Sequence, residues 1–369
     1  MVKRLLSLNG LAVLGAVINH ASGWGFTAMF WWTDRYQAGP VPDFSGLGTA
    51  SYYALRAAEQ LIMFSIPAFL FVSGFFVAFA TGRRRESLGW KPVGVRIRDL
   101  AIPYIFWSLA LLAGKGALGS FDRPLGYLQS LAFGRAAAPY YYVPLLAQYF
   151  LFSPLIVPLV RKHWKPVLLS AGLLQLTVHV ARYPVLLGRD VAVAQWVVIH
   201  SPGWFFPQTC FWFVFGAFAG FHLSVLKGWL VRWAALLPAL TLVSAVLAFL
   251  EWELLFGLSG REWLPPAVTA LDSIYAGAMI LTFIAFDDLR PPFTKQLGEL
   301  GARSFGVYLM HAPVLEVASR AAYHGAPWIL GHQFLFQPLL TLAGVGVPLA
   351  AMIAIDRSPV RRCYKYIFG

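Results

Sequence analysis

A chain of 369 residues that is 59% hydrophobic and only 12% charged is not a water-soluble domain, which carries about twice that share of Asp, Glu, Lys and Arg. The formal charge of +13 raises nucleic acid as a partner, yet the cations stand in short clusters between apolar runs, with no basic stripe interleaved with aromatics, which argues against one. Two cysteines, Cys210 and Cys363, are too few for a disulfide framework or a cysteine-rich zinc site, and no metal site is expected.

Apolar segments long enough for the membrane fall near 5–31, 51–80, 100–119, 139–160, 166–187, 204–223, 230–250, 265–286, 304–322 and 333–355. The first follows Lys3 and Arg4 and runs on through Trp24, Phe26 and Trp31 without a small-residue cleavage site, so it reads as a retained helix rather than a signal peptide. The second, 51–80, is long enough to be tilted or broken. Pro103, Pro154, Pro158 and Pro313 inside later segments predict kinks. These segments predict an all-α, polytopic integral membrane protein of about ten transmembrane helices. Most of the 29 Lys and Arg lie on the side of the termini, which places both termini in the cytoplasm by the positive-inside rule. Loops too short for an appended soluble domain make residues 1–369 a single membrane domain.

Titratable groups inside a span are costly and mark function by default. His20 lies about 22 Å along the first helix from Leu5, past the midplane of a core about 30 Å thick. A neutral imidazole there suits a general base, or equally a structural histidine bonded to a neighbouring helix. Glu59 enters from the opposite surface to a matching depth, so it either orients the imidazole or pairs with Arg56 three residues earlier. Asp272 competes for the orienting role. Tyr308 and His311 share a helix face, and Glu316 with Arg320 forms an i,i+4 pair. The run Arg83–Arg85, Lys91, Arg96 and Arg98 gathers cations ahead of the third apolar segment. Of these, Arg96 and Arg98, which abut it, are the candidates for phosphate binding.

Several local blocks occur in order: Leu11 to Asn19-His20, Ile66-Pro67-Ala68-Phe69 to Ser73-Gly74-Phe75, Arg96-Ile97-Arg98 before Ile102-Pro103-Tyr104, Leu151-Phe152-Ser153-Pro154, Phe213-Val214-Phe215-Gly216, and Ser304-Phe305-Gly306-Val307-Tyr308-Leu309-Met310-His311. Together they resemble acyltransferase family 3, bacterial integral-membrane enzymes that acylate glycans, lipids and other acceptors. The resemblance implies transfer of an acyl group, acetyl from acetyl-CoA, from the cytoplasmic side to a hydroxyl or amine of a cell-envelope glycan or lipid. It also implies a bacterial inner-membrane location, with acyl-CoA as a co-substrate rather than a bound cofactor. His20 and Glu59 are then the catalytic candidates, and Asn9, Ser73, Arg96, Arg98, Tyr308 and His311 the candidates for holding acyl-CoA. The chain departs from the family at Asn9, eleven residues before His20 and on the same helix face, where the family typically has an arginine; Arg4 is a candidate substitute. A glycolipid or polysaccharide transporter with a proton path through His20, Glu59 and Asp272 is the alternative from another class, and a membrane-bound O-acyltransferase of a different family the alternative enzyme.

Overall fold

The computed structural model describes residues 1–82, 89–117, 119–286 and 293–369; Arg83, Arg84, Arg85 and Arg290 lie outside the described residues. Every regular element among those described is helical, as the membrane requires of a chain that must satisfy its backbone within each segment. In chain order the helices are α1 (Val2–Trp31), α2 (Ala50–Ile62), α3 (Ser65–Thr81), α4 (Trp90–Ala117), α5 (Pro124–Phe133), α6 (Tyr142–Leu186), α7 (Ala192–Ile199), α8 (Cys210–Phe221), α9 (Leu223–Trp233), α10 (Leu237–Ser259), α11 (Ala270–Ala285), α12 (Thr294–Ala302), α13 (Ser304–Gly325), α14 (Gln333–Asp356) and α15 (Tyr364–Phe368).

Six helical segments among the described residues are long and apolar enough to cross a membrane, and a seventh if α8 and α9, which meet at 102°, form one span. The difference from ten has local causes. The expected segments 139–160 and 166–187 are the two halves of α6, which is broken into two helices at His163 (φ −131°, ψ 44°), between Pro158 and Pro166. The chain doubles back there: Tyr149 in the first half donates to Phe206 O at 2.7 Å, and Gln175 in the second accepts from Phe211 N at 3.2 Å, so both halves pack on the same stretch at the start of α8. The expected 265–286 segment starts late as α11, because Thr269 and Asp272 form a capping box that sets the helix start. The 304–322 segment is one helix, α13, which carries Glu316 and Arg320. The 51–80 segment is indeed broken, at Met63 and Phe64 between α2 and α3.

Two close crossings set the frame. Gly74 of α3 lies against Phe213 O of α8, and Gly216 of α8 against Phe71 O of α3: a Cβ built on either would stand 2.0 or 1.9 Å from the carbonyl oxygen facing it. Gly10 of α1 and Gly301 of α12 make the same reciprocal contact with Leu297 O and Leu6 O. Where lipid is as apolar as leucine, helices associate through such small-residue contacts rather than through a hydrophobic driving force. Leucines and valines such as Leu242, Leu258 and Val317 point outward and exposed, as a lipid-facing surface demands. Aromatic side chains, Phe71, Tyr149, Phe213 and Phe218 among them, fill the interior between α3, α6 and α8.

Candidate active site

Two cavities lie along α1, one beside Asn9 and one beside His20. The proximal cavity, about 380 Å³, opens beside the C-terminal Gly369 and is lined by Asn9, Ser73, Arg96, Tyr142, Ser304 and Tyr308 among others. The distal cavity, about 480 Å³, is lined by Asn19, His20, Glu59, Arg182, Asp272 and again Tyr308. Tyr308 is common to both. Its hydroxyl donates to the carbonyl oxygen of Pro139, and its ring packs on Tyr142 at 5.6 Å between centres.

In the proximal cavity, the crossing at Gly74 brings Ser73 to the wall. Asn9 is held by the α1–α12 crossing, and its Nδ2 donates to Gly301 O at 3.1 Å and to Ser304 Oγ at 2.6 Å. Both amide hydrogens are therefore taken within the protein, and what Asn9 has left for a ligand is an acceptor oxygen. Arg4 does not fill the place of a cation here. Its Nε donates to Phe283 O at 2.7 Å and its guanidinium lies over the Phe283 ring at 4.0 Å, away from either cavity. Arg96 does line the cavity, half-buried, with its guanidinium 5.9 Å from the centre of the Phe150 ring and its Nη1 buried without a hydrogen-bond partner. Arg98 does not line the cavity: it is exposed and bonded at 2.8 Å to Asp99, which does.

In the distal cavity, His20 and Glu59 share one wall. The strong bond of Glu59 goes to Arg56, at 2.7 Å and buried on both sides, while Arg56 Nε also stands 3.5 Å from Glu253. Tyr52 donates to Glu253 at 3.0 Å. Asp272 is likewise engaged: Gln60 Nε2 donates to it at 2.8 Å, as do the backbone N–H and hydroxyl of Thr269 at 2.8 and 3.0 Å. His179 bridges Gln208 O at 3.0 Å and Ser273 Oγ at 3.1 Å, and Arg182 donates to the Gln208 side chain. Glu316 and Arg320 form the expected pair, at 3.2 Å on the exposed face of α13.

His311 lines neither cavity. It is sealed in the interior at 0% exposure, with its ring centre 5.2 Å from that of His20 and 5.7 Å from that of Tyr308. Its Nδ1 lies 2.6 Å from Tyr308 O. Gln208, on the distal wall, and Gln60, which donates to Asp272 behind it, were not singled out from the sequence, although amides inside apolar stretches were the available signal. Among the described residues no group of three His, Cys, Asp or Glu side chains is placed to hold a metal ion.

A family model described as an acyltransferase domain matches residues 7–356, nearly the whole chain. No curated protein and no solved structure matches the chain.

Proposed function

The chain belongs to the acyltransferase-3 family, and from that premise we propose that it transfers an acetyl group from acetyl-CoA in the proximal cavity to an acceptor in the distal one, with His20 as general base. The observation that carries this reading is that two cavities share one lining residue, Tyr308, with a histidine on the wall of the second. A thioester carbonyl brought to that point from one side would be within reach of a nucleophile from the other, which is the arrangement that holding two reactants together requires.

The roles follow from what each group still has to offer. Arg96, with an unpartnered buried nitrogen, grips a phosphate of the donor. Ser73 and Tyr142 line the path of the pantetheine arm. His20 takes the proton of an acceptor hydroxyl or amine as the acceptor atom bonds to the thioester carbon. The carbon–sulfur bond then breaks, and the proton held on His20 passes to the sulfur, which leaves as free thiol. A relay in which His20 itself carries the acetyl group uses the same geometry and gives the same products. Glu59 keeps the field of the distal wall through its pair with Arg56 rather than by binding the imidazole. The two expected spans on α6 and the shorter apolar helices support a reading of about ten crossings with both termini in the cytoplasm. The family resemblance is what favours a bacterial inner membrane as the site and an envelope glycan or lipid as the acceptor.

Membranes carrying the protein are given [¹⁴C]acetyl-CoA, and both label on membrane lipids and glycans and free thiol are measured. The wild type should transfer label and release thiol together, and His20→Ala should do neither while still inserting normally. Label transfer surviving in His20→Ala would refute the role of His20. Proton-coupled flux without thiol release would favour the transporter.

A further inference from the structure

We infer that His311 is a positioning residue for His20, accepting a hydrogen bond from one ring nitrogen so that the other stays bare toward the distal cavity. The inference rests on reading His20 as the base. A carbonyl oxygen only accepts, so the contact between His311 Nδ1 and Tyr308 O puts the proton on Nδ1 and leaves a lone pair on Nε2. That Nε2 is buried and no described residue donates to it, an uncommon state for a polar atom in a protein interior.

Two polar rings stand against His311. The hydroxyl of Tyr308 is committed to Pro139 O, which leaves His20 as the ring with an N–H to give. The His20 and His311 centres are 5.2 Å apart with planes inclined at 40°, a spacing that allows roughly 3 Å between facing nitrogens, the length of a hydrogen bond. The rings are not bonded as they stand, and a turn of the His20 ring about its Cβ–Cγ bond brings a nitrogen to the waiting lone pair. The carboxylate that performs this service in a serine-hydrolase triad has no counterpart bonded to His20, because Glu59 is held by Arg56. A neutral acceptor does the same work without placing a second charge in the hydrocarbon interior.

Three forms of the full-length protein, wild type, His311→Gln and His311→Phe, are labelled with ¹⁵N-histidine in nanodiscs, with His20→Ala identifying the His20 signals. The glutamine carries an acceptor oxygen to about the position of Nε2, and the phenylalanine keeps a ring but no acceptor. Wild type and His311→Gln should show one His20 tautomer, and His311→Phe an averaged mixture. In the labelling assay, His311→Phe should lower kcat by about 10²-fold or more with the KM for acetyl-CoA unchanged, and His311→Gln should recover to within about tenfold of wild type. A His20 tautomer mixture in the wild type overturns the inference without any variant, which covers a phenylalanine variant that fails to fold. Unmoved His20 signals or wild-type kcat in a folded His311→Phe also overturn it, and both leave the base reading standing. Retained transfer in His20→Ala sinks the base reading, whatever the tautomer.

Discussion

Asn9 and Ser304, 295 residues apart in the chain, are joined by a hydrogen bond of 2.6 Å on the wall of the proximal cavity. Together with the bond from the same amide to Gly301 O, it fastens α1 to the junction of α12 and α13. The residue that departs from the family pattern is thus a fastener between helices. Asn9→Ala should lower stability by about 1–3 kcal/mol, since it orphans two buried acceptors, and should leave the KM for acetyl-CoA nearly unchanged. Thermal unfolding in detergent and initial-rate kinetics check the two halves separately.

Arg96 and Arg98, two residues apart on α4, lie about 200° apart around the helix and should differ in kinetics. Arg96 reaches the cavity with an unpartnered nitrogen, whereas Arg98 is exposed and paired with Asp99. Arg96→Ala should raise the KM for acetyl-CoA about tenfold or more, the loss of one charge-assisted contact. Arg98→Ala should change it little, because exposed pairs contribute about 0–1 kcal/mol. Equal effects in steady-state assays would return both residues to a common role.

The Arg56–Glu59 pair is buried on both sides at 2.7 Å. Glu59→Gln should destabilise the protein by about 1–3 kcal/mol, because it removes the nearer of the two counter-charges of the buried Arg56 and leaves Glu253 at 3.5 Å. The double variant Arg56→Met with Glu59→Leu should cost distinctly less than Glu59→Gln alone. Thermal melts of these variants and the Arg56→Met single decide whether the pair is mutually dependent.

Tyr308 lines both cavities. Tyr308→Phe removes only the hydroxyl that binds Pro139 O and should keep most of the transfer activity. Tyr308→Ala opens the partition, and acetyl-CoA should then be hydrolysed without an acceptor. Thiol release in acceptor-free detergent solution, compared with the wild type, measures that leak.

The helical architecture was legible because the bilayer permits little else, and a window of hydropathy finds most segments. Counting crossings was harder. The break at His163, among Arg161, Lys162 and Lys165, is marked by charge and was found, but the 102° turn between α8 and α9 falls at His222 inside an apolar run. The depth argument put His20 and Glu59 on the same level, and they line one cavity. Depth could not say which partner each takes, since a bond across helices depends on how the helices are rotated about their axes. For the same reason Arg98 could not be separated from Arg96, nor Arg4 set aside. The Ser73-Gly74 and Phe215-Gly216 blocks read as motif residues, and their glycines prove to be the two halves of one backbone contact.

The shared wall at Tyr308 also shapes how voltage is distributed. Under the proposed access from opposite faces, the insulating layer is thin between the two cavities, so a membrane potential would fall steeply over that short stretch rather than evenly across the bilayer. A charge displaced through the full potential gains about 2.3 kcal/mol per 100 mV. Proton transfers beside Tyr308 are thus placed to feel a large share of it, and an energised cell would tilt this chemistry in one direction.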